Sequence, residues 1–386
     1  EMEMSWMQEY VKKSDCGLTF LQTKGDAVKT ILFSEEHFLK GKNIRPQFPG
    51  RNVGLMFGWE TSVNPFIQFP AYKEIADLPI DKKCEILKDP LFKEKLLSQE
   101  PDFESEIRVR LADNPSNKSR EEIAQDVALP TTLTSNYKTQ FILGTPPNYE
   151  PKEEDSITAI ASKKNISELE VMYDEMLQNQ GTNLIYAAFT PYEKYKLDFV
   201  EQAYQLKSSV AGGSDGGAHC GLICDASMPT TNISHWGRDR EAGRKFPLEM
   251  LIKKQTKDTA ETFGLFDRGE IKSGMLADIN IIDFDKLNVS HPTMIHDLPL
   301  GGRRLVQDAT GYIATIKNGQ VVSENGKANG VLPGKLIRGK QVCEVKSGIS
   351  EISFFDKTIR LLAVKTLRFL WAFSGKSMKT TIVSET

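Results

Sequence analysis

The 386-residue sequence reads as an α/β protein that passes into a small β region. Three observations predict this. Apolar runs of strand length alternate with stretches of helical spacing up to about residue 266. One run, Ser208-Ser-Val-Ala-Gly-Gly213, leads directly into the glycine-rich Ser214-Asp-Gly-Gly-Ala-His219. From Gly269 onward the pattern changes to short β-type runs with hairpin signals. Such alternation favours a doubly wound sheet or a (β/α)8 barrel, followed by a small β domain.

Taken in order, Gly17-Leu-Thr-Phe-Leu21 and Asn43-Ile-Arg-Pro-Gln-Phe48 are strand-like runs on either side of the helical Glu35-Glu-His-Phe-Leu-Lys40, a strand-helix-strand unit. Residues 71–130 are polar and helical in composition, and Pro70, Pro79, Pro90 and Pro101 cut the region into short pieces. They read as a helical insertion over a barrel mouth. Tyr137–Leu143 is the next strand, and Ile166, Leu169, Met172, Tyr173, Met176 and Leu177 mark a helix that ends at Gln180-Gly181. Leu184–Phe189 is a buried strand, 194–206 a helix, and 208–213 the strand before the glycine-rich turn. Pro247 opens a further helix in the favoured first-turn position, with Gly264 as its C-cap. Ala277–Asp283, Tyr312–Ile316 and Gln320–Val322 are β runs, the last two joined by a turn at Lys317-Asn318-Gly319. The basic, apolar Lys357–Phe373 is too short and too charged to span a bilayer and reads as a docked terminal helix, with membrane-surface binding or non-native sequence as the alternatives. The boundaries predicted are 1–266 for the α/β part, 267–340 for the β domain and 341–386 for a tail.

Composition bounds the function. Hydrophobic residues make up 39% and charged residues 26%, values of an ordinary soluble globular chain. A net charge of -3, with no dense basic block before the tail, gives nucleic acid no general attraction. Five scattered cysteines (Cys16, Cys84, Cys220, Cys224, Cys343) suit reduced thiols, so a cytoplasmic location is expected, and no secretory leader is read at the N-terminus.

Asp215 is the first candidate for chemistry. A carboxylate at the C-terminal end of an apolar strand lies where barrel enzymes place their catalytic groups, and the flanking glycines permit close backbone approach. As a bare motif the same residues also read as a surface turn. Gly212-Gly-Ser-Asp-Gly-Gly-Ala-His-Cys-Gly-Leu-Ile-Cys-Asp-Ala-Ser227 together with His235-Trp-Gly-Arg-Asp-Arg240 is similar to the strand-eight region of D-aminoacylase-like members of the amidohydrolase superfamily. Lys272–Asp283, Ala314–Val322 and Gly330–Lys335 resemble that family's β domain, and Arg45–Arg51 with Asn64-Pro-Phe66 resembles an extended branch of it.

The resemblance implies the C-terminal portion of a metal-dependent (β/α)8 TIM barrel followed by a composite β-sandwich. It implies one or two divalent metals, usually Zn2+, a metal-activated water, and Asp215 as both metal ligand and general base. The implied reaction is hydrolysis of carbon-nitrogen bonds in linear amides, with N-acyl-D-amino acids as small-molecule substrates. Cyclic amides such as hydantoins, or a metal-free relative that binds acyl-amino compounds without turnover, are the alternatives. Arg238 and Arg240 are candidates for gripping a substrate carboxylate, because guanidinium pairs with it in two parallel hydrogen bonds, and their other reading is ion pairing with Asp239 and Glu241. His219, beside the motif, is the third substrate-facing candidate. A zinc site on His219, Cys220, Cys224 and His235 is disfavoured, since their spacing matches no compact closed pattern. Asp278, His291 and His296 read as structural, and Gln47 is a strand-end residue that could line the site.

The chain also departs from the family. It has no His-X-His, and only His37 precedes Asp215. A full barrel needs about 250 residues, most of them before its eighth strand, so an N-terminally truncated chain, incomplete for catalysis, is the expectation. No membrane span is expected, and self-association into a homo-oligomer is left open.

Overall fold

A computed structural model describes residues 2–14, 16–22, 27–190, 192, 194–214, 216–339 and 380–384. After an N-terminal helix, Met2–Lys13, strands Leu18–Leu21 (β1) and Ile44–Pro49 (β2) flank the helix Ala27–Leu39 and pair in parallel, Leu18 opposite Ile44 and Leu21 opposite Gln47. This is the strand-helix-strand unit expected from the apolar runs. Val53–Phe57 (β3) follows at once. Next come five helices, Pro70–Lys73, Ile80–Leu87, Pro90–Leu97, Phe103–Ala112 and Arg120–Thr134. Three of the four prolines that broke up the sequence here are helix starts, and the fourth, Pro101, immediately precedes the N-cap Asp102. Pro70 and Pro90 occupy the first turn and Pro79 the N-cap, positions where a missing N–H costs nothing. The last helix begins with a reciprocal capping box between Ser119 and Glu122.

Strands Gln140–Ile142 (β4), Ile185–Thr190 (β5) and Val210–Gly212 (β6) complete the α/β part. The rhythm of strands and helices suggested parallel pairing throughout, and the structure differs. Parallel pairing joins β1, β2 and β6 in the order β1-β2-β6, whereas β3, β5 and β4 form an antiparallel sheet. The TIM-barrel portion expected from the resemblance is therefore represented, among the described residues, by an open three-stranded parallel sheet beside an antiparallel one. The reason lies in β5. Its residues Ile185 to Ala188 are all buried, and a continuous apolar run suits a central strand in either direction, so periodicity is silent on polarity.

The β region contains Ile279–Asp283 (β7), Asn288–Val289 (β8), Thr293–Leu298 (β9), Gly302–Val306 (β10), Ala309–Thr310 (β11), Tyr312–Lys317 (β12), Gln320–Glu324 (β13) and Lys327–Ala328 (β14). With Thr380–Ser384 (β15) they build a five-stranded antiparallel sheet, β14-β13-β12-β7-β15, and two short antiparallel pairs, β8 with β11 and β9 with β10. Asn318 and Gly319 both have positive φ, 49° and 78°, the conformation a two-residue hairpin turn requires. Asp278, read as structural, accepts from the Asn318 N–H at 2.8 Å and from Lys317, which pins that turn. The terminal helix read at 357–373 lies outside the described residues.

The two largest apolar cores among the described residues lie in the α/β part. One packs Phe57, Trp59, Phe66, Phe69, Tyr173 and Met176 between the short helices and β5. The other places Phe48, Tyr186, Tyr204, Trp236 and Leu251 between the two sheets, and it extends to Val289 and Leu305 of the β region. Beneath β6, Lys254 is buried and donates to the carbonyls of Leu206 and Ser209. Burial lowers its pKa to about 8 from an ordinary 10.5.

A base with a depressed folded pKa binds fewer protons folded than unfolded between those two values, so stability rises as pH rises through that window. Wild-type unfolding free energy is expected to rise relative to Lys254→Met between pH 8 and 10.5, by an amount on the order of 3 kcal/mol at most. Denaturant titrations of both proteins across that range measure it. Parallel pH profiles would refute the assignment.

Candidate active site

The last residue of β2, Pro49, pairs with Gly212 of β6, and both strands deliver their C-terminal ends to one side of the sheet. From β6 the chain enters the 213–219 turn. Gly213 has φ of 74°, a left-handed conformation that strains any residue with a Cβ. Asp215, the expected general base and metal ligand, lies outside the described residues. From β2 the chain passes through Gly50, where a side chain would collide with the carboxamide of Asn232, so the helix Met228–Ser234 can close onto the strand end. Gln47 donates to Thr19 Oγ1 at 2.9 Å.

A cavity of about 650 Å3 opens at this end, bounded by Gly50, Arg51, Tyr149, Glu150, His235 and Arg238. Its wall is set by three consecutive residues of the loop after β4. The Asn148 side chain accepts from the Glu150 N–H at 2.9 Å, a local turn that fixes the loop. Tyr149 lies beneath the Arg51 guanidinium, 3.7 Å from its ring centre, and hydrogen-bonds Gln307 of the β region. Glu150 takes two hydrogen bonds from Arg240, from Nε at 3.0 Å and from Nη2 at 3.0 Å, and one from His235 Nε2 at 2.8 Å.

Burial opposes the Glu150 charge, but the hydrogen bonds from His235 and Arg240 outweigh it and hold this carboxyl below its ordinary pKa. Arg51 is a second buried cation. It donates to Asp225 at 2.9 Å and to the Cys224 carbonyl at 3.0 Å. Burial opposes its charge too, yet Tyr149 and Asp225 more than offset that and raise its pKa.

The expected substrate-gripping arginines are engaged elsewhere. Arg240 is 1% exposed, stacked on Trp236, and its donors go to Glu150, Glu201 and the Arg244 carbonyl. Arg238 donates to Asp239 at 2.6 Å and to the carbonyls of Phe284 and Leu287, tying the helix end to the β region. The surface ion pair weighed for Arg238 is thus present, with Asp239 and not Glu241. His219 is exposed, has φ of 46°, and lies outside the cavity lining. Cys224 is buried, with its thiol pushed up to about 11, which disfavours the thiolate a metal needs. Among the described residues no group of three or more His, Cys, Asp or Glu is placed to hold a metal ion, so they do not by themselves form the zinc centre that the resemblance implies.

Residues 200–323 match the model described as the amidohydrolase family. The match covers 124 of the 386 residues. The matched segment runs from the helix before β6 through His235, Arg240 and the strands β7 to β12 into β13. Among solved structures, the chain is similar to a D-aminoacylase variant in complex with copper chloride, at 16% identity and a TM-score of 0.40, with 86% of this chain aligned to 52% of that one. It is also similar to a D-aminoacylase described as defining a novel subset of amidohydrolases, at 23% identity and a TM-score of 0.28, over 50% of this chain and 36% of that one. The chain spans about half the length of the first of these proteins. No curated protein matches it. Among the described residues no helix is long and apolar enough to cross a membrane.

Sequence reading did not find Glu150, Arg51 or Asp225 as members of the site. Glu150 sits in an irregular loop with no motif, although Asn148 two residues earlier and Pro151 after it are turn signals. Arg51 and Asp225 both lie in runs that carry the resemblance, Arg51 three residues after a predicted strand, and those positions were the available clue. Substituting Asp225→Asn leaves the Arg51 charge buried without its carboxylate. The expected loss is about 3–5 kcal/mol of unfolding free energy, read by urea denaturation, and a loss under about 1 kcal/mol would show that the pair is not the anchor described.

Proposed function

We propose that this chain is part of a hydrolase that cleaves carbon-nitrogen bonds in linear amides, with N-acyl-D-amino acids as its substrate class. The observation that supports it most is the amidohydrolase match over 200–323, which spans the Asp215 turn and much of the wall of the 650 Å3 cavity. That volume lies within the range of small-molecule sites. Glu150 and Arg240 fix the cavity wall, and Arg51 with Asp225 fixes its floor.

Asp215 has the role of general base in this reading. A carboxylate there takes a proton from the attacking water and passes it to the departing nitrogen. The family's metal, zinc in this proposal and with Asp215 among its ligands, supplies a polarised carbonyl and an acidified water when bound. The described residues of this chain act by shaping the cavity and orienting the bound amide. Lys152 and the partly exposed Arg238 line the cavity as candidates for the substrate carboxylate, whereas His219 could serve only from outside its lining. A cytoplasmic setting belongs to the same proposal and rests on the unpaired Cys16, Cys84, Cys220 and Cys224.

The test is a panel of N-acetyl-D-amino acids, N-acetyl-L-amino acids and hydantoins assayed for amine release with added zinc, using the wild type and Asp215→Asn. The proposal expects release from the linear D-substrates and a drop of roughly 10²–10⁴-fold in the variant. Turnover of hydantoins alone points to a cyclic amidase. Binding without turnover, unchanged in Asp215→Asn, points to the non-catalytic reading.

A further inference from the structure

His235 is the one histidine among the residues lining the cavity, and its tautomer is dictated by its neighbours. Its Nε2 lies 2.8 Å from Glu150, a carboxylate with 3% side-chain exposure that also receives two hydrogen bonds from Arg240. A carboxylate so engaged is ionised and can only accept, so the imidazole Nε2 must carry the hydrogen. In the neutral ring the lone pair then sits on Nδ1. That atom has no hydrogen-bond partner among the described residues, and it is not one of the sealed polar atoms of the interior. The side chain is 25% exposed and lines the cavity.

The backbone supports the same placement. His235–Asp239 form a π-type turn closed by the Arg240 N–H on the His235 carbonyl at 2.8 Å. A turn of this width is rare and recurs at functional sites. Here it lets His235 and Arg240, five residues apart, reach the same carboxylate. The imidazole is therefore locked at one nitrogen and open at the other.

The other histidines of the described residues are differently placed. His37 and His291 use Nδ1 on the carbonyls of Phe33 and Pro292, and His296 pairs with Glu60 from a side chain 52% exposed. His219 is exposed and outside this cavity, and none of the four has a buried carboxylate behind it and a cavity in front.

We propose that His235 Nδ1 is the hydrogen-bond acceptor that recognises the N–H of an amide ligand in this cavity, with Glu150 as the positioning residue that sets its tautomer. The inference rests on the amide-hydrolase reading for the identity of the ligand, but not for the geometry. It assigns the site a selectivity: secondary amides, which keep an N–H, bind, and their N-methylated counterparts do not. The amino-acid nitrogen is thereby held against the wall, with its acyl carbonyl directed toward the strand ends.

The experiment uses the wild-type chain labelled with 15N-histidine. Long-range 1H–15N spectra at pH 8 report the tautomer of His235, identified by its absence in His235→Gln. The expected result is an Nε2–H tautomer, followed on addition of an N-acetyl amino acid by an upfield shift of Nδ1. The matched N-acetyl-N-methyl amino acid is expected to leave Nδ1 unmoved and to bind at least 10-fold more weakly by calorimetry. An Nδ1–H tautomer in the free protein, or equal responses to the two ligands, overturns the proposal. Amine release, followed in the same samples, separates the two readings. An Nδ1 response without hydrolysis keeps the acceptor and removes the hydrolase, hydrolysis without an Nδ1 response does the reverse, and neither signal removes both.

Discussion

The buried carboxylate of Glu150 is the point on which the cavity depends. It lies in a loop of the α/β part, yet its side-chain partners among the described residues come from the matched segment 200–323, His235 and Arg240 at the end of one helix. Arg240 continues the network to Glu201 on the helix Asp198–Gln205. Arg240, His235 and two carboxylates thus join three separate stretches of chain around a buried ion pair. Buried ionic groups cost several kcal/mol each to desolvate, so such a network is weak evidence of net stability. What it provides is registry. Any slip of the 148–150 loop leaves Arg240, which is 1% exposed, without its carboxylate.

The Arg51 and Asp225 pair repeats this logic one layer below. Tyr149 connects the two, stacked under Arg51 on one face and hydrogen-bonded to Gln307 of the β region. Side chains from the segment after β2, the β4 loop, the helix Met228–Ser234 and the β region therefore meet around one cavity. The parallel sheet matters because it brings the ends of β2 and β6 to the same side. The glycines at 50 and 213 matter because one lets a helix approach and the other lets the chain turn.

Much of this organisation is legible in the sequence, for identifiable reasons. The strand-helix-strand unit at the start and the Asn318-Gly319 hairpin rest on local chemistry and were expected near their observed positions, and the prolines marked the breaks between the short helices after residue 70. Strand polarity was not legible in β4 and β5, because a buried apolar run carries no direction. The site was partly legible. His235 and Arg240 stood in a recognisable run, but their occupation by Glu150 is a contact across 85 and 90 residues, and no spacing rule reaches that far. The sequence suggested Arg240 as a free guanidinium for substrate, and the structure shows why a charged motif residue need not be available: a carboxylate from a distant loop had already claimed it.

The central claim is that Glu150 and Arg240 act as one unit that fixes the cavity wall. A double-mutant cycle on Glu150→Gln and Arg240→Met, with unfolding free energies measured in urea, tests it most directly. Each single substitution strands a buried partner, so each is expected to cost about 3–5 kcal/mol, while the double variant is expected to be no less stable than the worse single, a coupling of several kcal/mol. Losses that simply add would contradict the account and leave the two residues as neighbours without a shared role.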